Sequence, residues 1–162
     1  MAEIPEFWRT EVFHPLSVHF PIVLLLLAFV FRLLSLKYKR ELWQEGGSLL
    51  LLLGVAGIWI SIYTGDLADG IVSRKLCDPT ILKEHENMAY LSAWIFSGSL
   101  IADLAGFFKI DFFRKKLVQF LLVLALTIGT GVLFYAGHLG AKLVYQQAAG
   151  VYIPTEDCAG FN

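Results

Sequence analysis

Four runs of apolar residues, each about as long as a bilayer is thick, divide this chain. The first extends from about 15 to 36 and contains the unbroken stretch Pro21-Ile22-Val23-Leu24-Leu25-Leu26-Leu27-Ala28-Phe29-Val30-Phe31. The second covers about 46–64, the third about 88–108 and the fourth about 117–137. A helix rises about 1.5 Å per residue, so about 20 apolar residues cross the hydrocarbon layer. No run carries an uncompensated charge at its centre. The pattern predicts one all-α domain over 1–162, a four-helix transmembrane bundle running up-down-up-down.

Local signals refine the boundaries. His14-Pro15 reads as a helix start, because proline suits the first turn and pushes the preceding residue out of helical geometry. Asp78-Pro79-Thr80 reads the same way, with Asp78 as N-cap, so the third helix is expected to begin near 79 and project beyond the bilayer. Pro21 removes a backbone hydrogen bond within the first span and is expected to bend it. Small residues recur in the second span (Gly54, Gly57, Ser61, Gly65) and late in the fourth (Gly129, Gly137, Ala141). Such stripes let helix backbones approach closely in lipid.

Composition agrees with the periodicity: 57% of the 162 residues are hydrophobic and 17% charged, too little charge to cover a soluble domain. No basic cluster sits beside stacking aromatics, which removes nucleic acid as a partner and leaves membrane lipid. The short turns after spans one and three are basic: Lys37, Lys39 and Arg40, then Lys109, Arg114, Lys115 and Lys116. The opposite side holds ten acids (Glu3, Glu6, Glu11, Asp66, Asp69, Asp78, Glu84, Glu86, Glu156 and Asp157) against five bases (Arg9, Arg74, Lys75, Lys83 and Lys142). Basic turns stay cytoplasmic. Both termini are therefore expected on the outer, periplasmic side. The first span is preceded by acids, with no basic leader or small-residue cleavage site, and reads as a retained span.

Two charges lie about one turn inside their spans, Arg32 in the first and Asp103 in the third. They are expected to meet at similar depth as an ion pair joining helices one and three. With no chain of polar groups through the middle, a proton or ion pathway is the weaker reading.

The four histidines, His14, His19, His85 and His138, all fall near the outer boundary, on three different helices. His85 shares a helical stripe with Ile81, Leu82, Met88, Ala89 and Ser92, so it is expected to face the bundle. Neutral imidazole is the commonest ligand for transition metals and haem iron. A six-coordinate haem b needs two imidazoles at matched depth on separate helices. His19 with His138 is the first expected pair, and His14 with His85 a second lying further out. Arg9, Arg74, Lys75, Lys83 or Lys142 could meet the propionates. The competing chemistry is a zinc, copper or iron site made from the same histidines with carboxylates such as Asp66 and Glu86.

Cys77 and Cys158 are the only cysteines and both fall on the outer side. A disulfide tying the 65–84 loop to the tail is one reading. Free thiols and a thiolate ligand for copper are the others. No His-Glu-x-x-His, Cys-x-x-Cys-His or Gly-x-Ser-x-Gly motif occurs, so no standard hydrolytic or covalent-haem signature assigns an activity.

His14-Pro15-Leu16-Ser17-Val18-His19-Phe20-Pro21-Ile22 resembles the opening signature of the bacterial membrane-protein family labelled domain of unknown function 2231. Gly137-His138-Leu139-Gly140-Ala141-Lys142-Leu143-Val144-Tyr145, followed by Gly150-Val151, is similar to its closing signature. The chain departs from the pattern at Ala141 and at Ala148-Ala149. The resemblance implies a multi-pass protein of the bacterial inner membrane without a settled activity. It also implies association with cytochrome c-like or other redox modules, which favours electron transfer. Membership of a larger membrane complex, or a homo-oligomer, is compatible with it.

Overall fold

The computed structural model describes residues 5–38, 41–108, 110, 112 and 115–153. Four long helices account for most of them: α1 (Thr10–Lys37), α2 (Glu41–Val72), α3 (Pro79–Phe107) and α4 (Lys116–Gln147), with a 3-10 turn at Ser73–Lys75 between α2 and α3. No strand occurs among the described residues. Each helix is long and apolar enough to cross a membrane. The helices exceed their apolar runs. At 32 residues each, α2 and α4 reach about 48 Å, well beyond a hydrocarbon layer of roughly 30 Å.

The start of α1 differs from the expectation at His14-Pro15. The helix begins at Thr10 and runs through both Pro15 and Pro21. Pro15 lies just beyond the first turn, so the one intrahelical bond it removes is that to the Glu11 carbonyl, near the helix start. Glu11 in the first turn also suits the positive end of the helix dipole.

The start of α3 follows its sequence signal. The Asp78 side chain accepts hydrogen bonds from the Thr80 N–H (2.9 Å) and the Thr80 hydroxyl, with Pro79 in the first turn. Gln147, the last residue of α4, closes the same corner. Its Oε1 accepts from the Asp78 N–H (2.8 Å) and its Nε2 donates to the Asp78 carbonyl (3.1 Å). The bonds from Thr80 hold the Asp78 carboxyl below its ordinary pKa. A depressed carboxylate pKa contributes stability above the ordinary aspartate range and loses it as pH falls through the lowered value. Asp78→Ala is expected to lower the melting temperature in detergent at neutral pH, Asp78→Asn to keep most of it. The gap between wild type and Asp78→Ala should narrow on acidification; a gap independent of pH would contradict the capping role of the charge.

Packing is tightest within the pairs α1–α2 and α3–α4, and looser between them. Glycines set the first contact. A Cβ on Gly54 would fall 2.6 Å from Leu25 Cδ2 and 2.8 Å from Leu25 Cγ, and one on Gly57 3.1 Å from Pro21 Cβ. Gly129 does the same for α4, 3.0 Å from Ile95 Cγ2 and 3.2 Å from Phe96. Leu25, Leu51, Phe96 and Leu126 fill the core between these contacts, each with no exposed surface. Large apolar side chains such as Val23, Ile60, Ile101 and Ile128 point outward, where lipid rather than water is their natural solvent. Gly54→Ala is expected to destabilise by about 1–3 kcal/mol, an overpacking cost, and by more than Gly129→Ala. Equal melting temperatures for the two variants would contradict this ranking. Two members of the expected stripe play no such part: Gly137 faces open space and Ala141 is exposed. At that end of α4 it is Gly140, one turn beyond Ala136, that meets another helix, at His85 of α3.

Arg32 and Asp103 form a buried ion pair between α1 and α3, only 5% and 3% exposed. The Arg32 Nη2 also donates to Ser48 Oγ on α2 at 2.6 Å. Gly47 makes room for the arginine stem, its Cβ position lying 3.3 Å from Arg32 Cγ. The pair lies near the last turns of α1 and α3, at the opposite end of the bundle from His14 and His85.

Candidate functional site: an imidazole pair on the bundle axis

His14 sits in the second turn of α1 and turns toward α2. Its Nδ1 lies 2.9 Å from the Ser61 carbonyl oxygen. A carbonyl only accepts, so Nδ1 carries the proton and the neutral ring keeps its lone pair on Nε2. Gly65, four residues after Ser61, is where the ring rests: a Cβ there would fall 3.1 Å from both Cε1 and Nδ1. Ser17 anchors the same corner, donating to the His14 carbonyl (3.0 Å) and sharing a hydrogen bond with Thr64 Oγ1 (2.9 Å).

His85 repeats this arrangement on the other pair of helices. Its Nδ1 lies 2.9 Å from the Ala136 carbonyl oxygen of α4. Gly140, four residues after Ala136, leaves space for the ring, with a Cβ position 3.2 Å from His85 Cε1. Each histidine is thus oriented by a backbone carbonyl and seated on a glycine.

The two rings lie near one another across the bundle, centroids 6.0 Å apart and planes at 79°, a T-shaped arrangement. Among the described residues neither Nε2 has a hydrogen-bond partner. The residues that α2 and α4 set against the rings are small: Ser61, Gly65, Ala136 and Gly140. The Ser61 hydroxyl is itself buried and without a hydrogen-bond partner.

The structure does not gather all four histidines. His19 and His138 are exposed, on outward faces of α1 and α4. Helical geometry separates them from the inner pair. At 100° per residue, His19 lies about 140° around α1 from His14 and about 7.5 Å further along it. His138 stands two positions from buried Ala136 and one from buried Leu139, and so points the other way. The expected matching of His19 with His138 assumed a first span starting at about 15 and a fourth ending at about 137. With α1 starting at Thr10 and α4 running to Gln147, the residues at one level are His14, His85 and the Ala136–Gly140 turn.

The carboxylates are engaged elsewhere. Asp66 accepts from the Tyr90 hydroxyl (2.9 Å), Glu84 from the Tyr135 hydroxyl (2.6 Å), and Glu86 pairs with Lys83 (2.8 Å). Among the described residues no group of three or more His, Cys, Asp or Glu side chains is placed to hold a metal ion. The combination of His14, His19, His85 and His138 with Asp66 and Glu86 is therefore not assembled. Cys77 is exposed in the turn before α3, while Cys158 lies outside the described residues.

Sequence reasoning missed the parts that hold the rings: the carbonyls of Ser61 and Ala136 and the glycine four residues after each. The shared Ser61-x-x-x-Gly65 and Ala136-x-x-x-Gly140 spacing was the available signal.

Four apolar helices around a narrow core, with polar groups paired at the two ends, define a multi-pass helical membrane protein. The family model described as "Predicted membrane protein (DUF2231)" matches residues 11–152, and the chain belongs to that family. No curated protein and no solved structure gives a match.

Proposed function

We propose that this protein binds one haem b, which His14 and His85 would hold through Nε2, and that it is an electron-transfer protein of the bacterial inner membrane. The observation that carries the reading is the close spacing of the two inner imidazoles. Two imidazoles on opposite sides of one central atom, at about 2.0–2.1 Å per bond, have ring centroids roughly 6 Å apart. The separation in this chain is 6.0 Å. Both rings are fixed as the tautomer that leaves Nε2 to donate, and a carbonyl on Nδ1–H raises the basicity of the ligand.

The number of donors selects among metals. Structural zinc takes four protein ligands and catalytic zinc three. A site offering two imidazoles, with each nearby carboxylate already bonded, suits a centre whose other ligands come with it. The porphyrin of haem gives its iron four ligands, leaving two for the protein to supply. When bound, haem supplies a one-electron couple. The chain's part is to hold two neutral imidazoles in fixed orientation in a setting of small and apolar residues.

The basic turns orient the bundle with Arg32 and Asp103 toward the cytoplasm and the histidines, with both termini, toward the periplasm. A cytochrome c or another periplasmic redox protein is then the natural partner. Arg9 and Lys75 line a cavity of about 230 Å³ at the histidine end, where Arg9 also pairs with Glu11 at 3.4 Å.

Analysis of the full chain, purified from membranes in mild detergent, tests the proposal. The expected result is one haem b per chain by pyridine haemochrome, without stoichiometric zinc. Stoichiometric zinc, copper or iron without porphyrin would overturn it in favour of a bare metal site. A protein with neither would overturn it in favour of an anchoring subunit of a larger complex.

A further inference from the structure

The two helix pairs carry the same pattern at matching positions. His14 and His85 are related by the shift that relates Arg32 to Asp103, 71 residues. Under this shift the four buried residues of α1, Pro21, Leu25, Ala28 and Arg32, land on Ser92, Phe96, Ser99 and Asp103 of α3, all buried. The second helix of each pair matches at a shift of 75, the step from Gly65 to Gly140. Gly54 then matches Gly129, and each of these glycines meets the equivalent residue of its partner helix, Leu25 or Phe96. Leu51 matches Leu126, both with no exposed surface. The ring-holding device matches too, Ser61 with Ala136.

Equivalent residues that touch each other must lie close to the axis relating them. Two such contacts occur, His14 with His85 and Arg32 with Asp103, separated by 18 residues along each helix, or about 27 Å. They define a twofold running lengthwise between α1 and α3. The two halves are not identical. Gly47 and Gly57 correspond to Leu122 and Val132, which accounts for the closer packing of α1 on α2 than of α3 on α4. On the axis, one equivalent pair has become an acid and a base, while the other has stayed two identical imidazoles.

We propose that the chain is a tandem duplication of one two-helix unit, with the imidazole site built on the seam between its halves. The site's occupant is then a centre that offers the same coordination to two opposite faces. This rests on the haem reading only for the identity of the occupant.

Two measurements on the full chain test it. A twofold requires the distance between positions 23 and 128 to equal that between their equivalents, 94 and 53. All four side chains are exposed. Spin labels at Val23→Cys with Ile128→Cys, and separately at Trp94→Cys with Leu53→Cys, in a background with Cys77→Ser and Cys158→Ser, are expected to give coincident distances. Resolved, non-overlapping distances would overturn the duplication whatever the site binds. For the occupant, His14→Gly and His85→Gly are expected to lose haemin affinity by the same factor and to regain it with added imidazole. Loss confined to one variant would overturn the two-faced site and leave the repeat standing. If wild type binds no haemin while the distances coincide, the haem assignment fails alone.

Discussion

His14→Ala and His85→Ala proteins are expected to leave the membrane without haem, whereas His19→Ala and His138→Ala proteins retain it. The contrast follows from where the rings point. His14 and His85 are turned inward by the Ser61 and Ala136 carbonyls, with ring centroids 6.0 Å apart. His19 and His138 are exposed on outward faces. Removing one of two axial donors leaves a single imidazole to hold the cofactor, which amounts to complete loss on purification. The glycine seats give a graded version of the same test. Gly65→Ala or Gly140→Ala moves a ring by a few tenths of an ångström without removing it, and is expected to weaken haemin binding about 10–100-fold, the range for groups that orient a ligand. Titration of each purified variant with haemin, alongside its melting temperature, separates lost binding from lost folding. Haem retention in either inner-histidine variant would end the ligand assignment.

Breaking the buried ion pair is expected to have the largest effect on stability. Arg32→Ala leaves Asp103 charged and nearly inaccessible, and Asp103→Ala does the same to Arg32. Leaving one member of such a pair without its partner costs about 3–5 kcal/mol. Replacing both with apolar residues of similar size, as in Arg32→Met with Asp103→Leu, removes both charges. That change is expected to restore most of the loss, because desolvation of the pair offsets much of its attraction. Among the described residues Arg32 Nε and Asp103 Oδ2 are buried without partners, so the pair itself leaves two polar atoms unsatisfied there. Thermal unfolding in a single detergent would show the difference; a double variant as unstable as the singles would contradict it.

The fold was legible because lipid simplifies the pattern. Four apolar runs of bilayer length have no plausible alternative to four spanning helices, and the N-cap of α3 was written in Asp78-Pro79-Thr80. The start of α1 was not legible, since Pro15 signals a first turn and sits instead just beyond one. That the histidines lie toward one end of the bundle was legible; which of them share a level, and which way they point, were not. His85 could be placed inward because its neighbours form an apolar stripe. His19 lies in a segment apolar on every side, where periodicity does not distinguish the face toward lipid from the face toward protein. The repeat was hidden for a related reason. Most equivalent positions share burial rather than identity, as Leu25 and Phe96 do, and burial is visible only once the helices are packed.

The central claim is that His14 and His85 hold one iron between nearly perpendicular rings, and electron paramagnetic resonance of the oxidised full-length protein tests it most directly. Near-perpendicular axial imidazoles give ferric haem a strongly anisotropic low-spin signal, and that signal is the expected result. A high-spin signal from iron with one axial imidazole, or the absence of any haem signal from protein purified intact, would contradict the account.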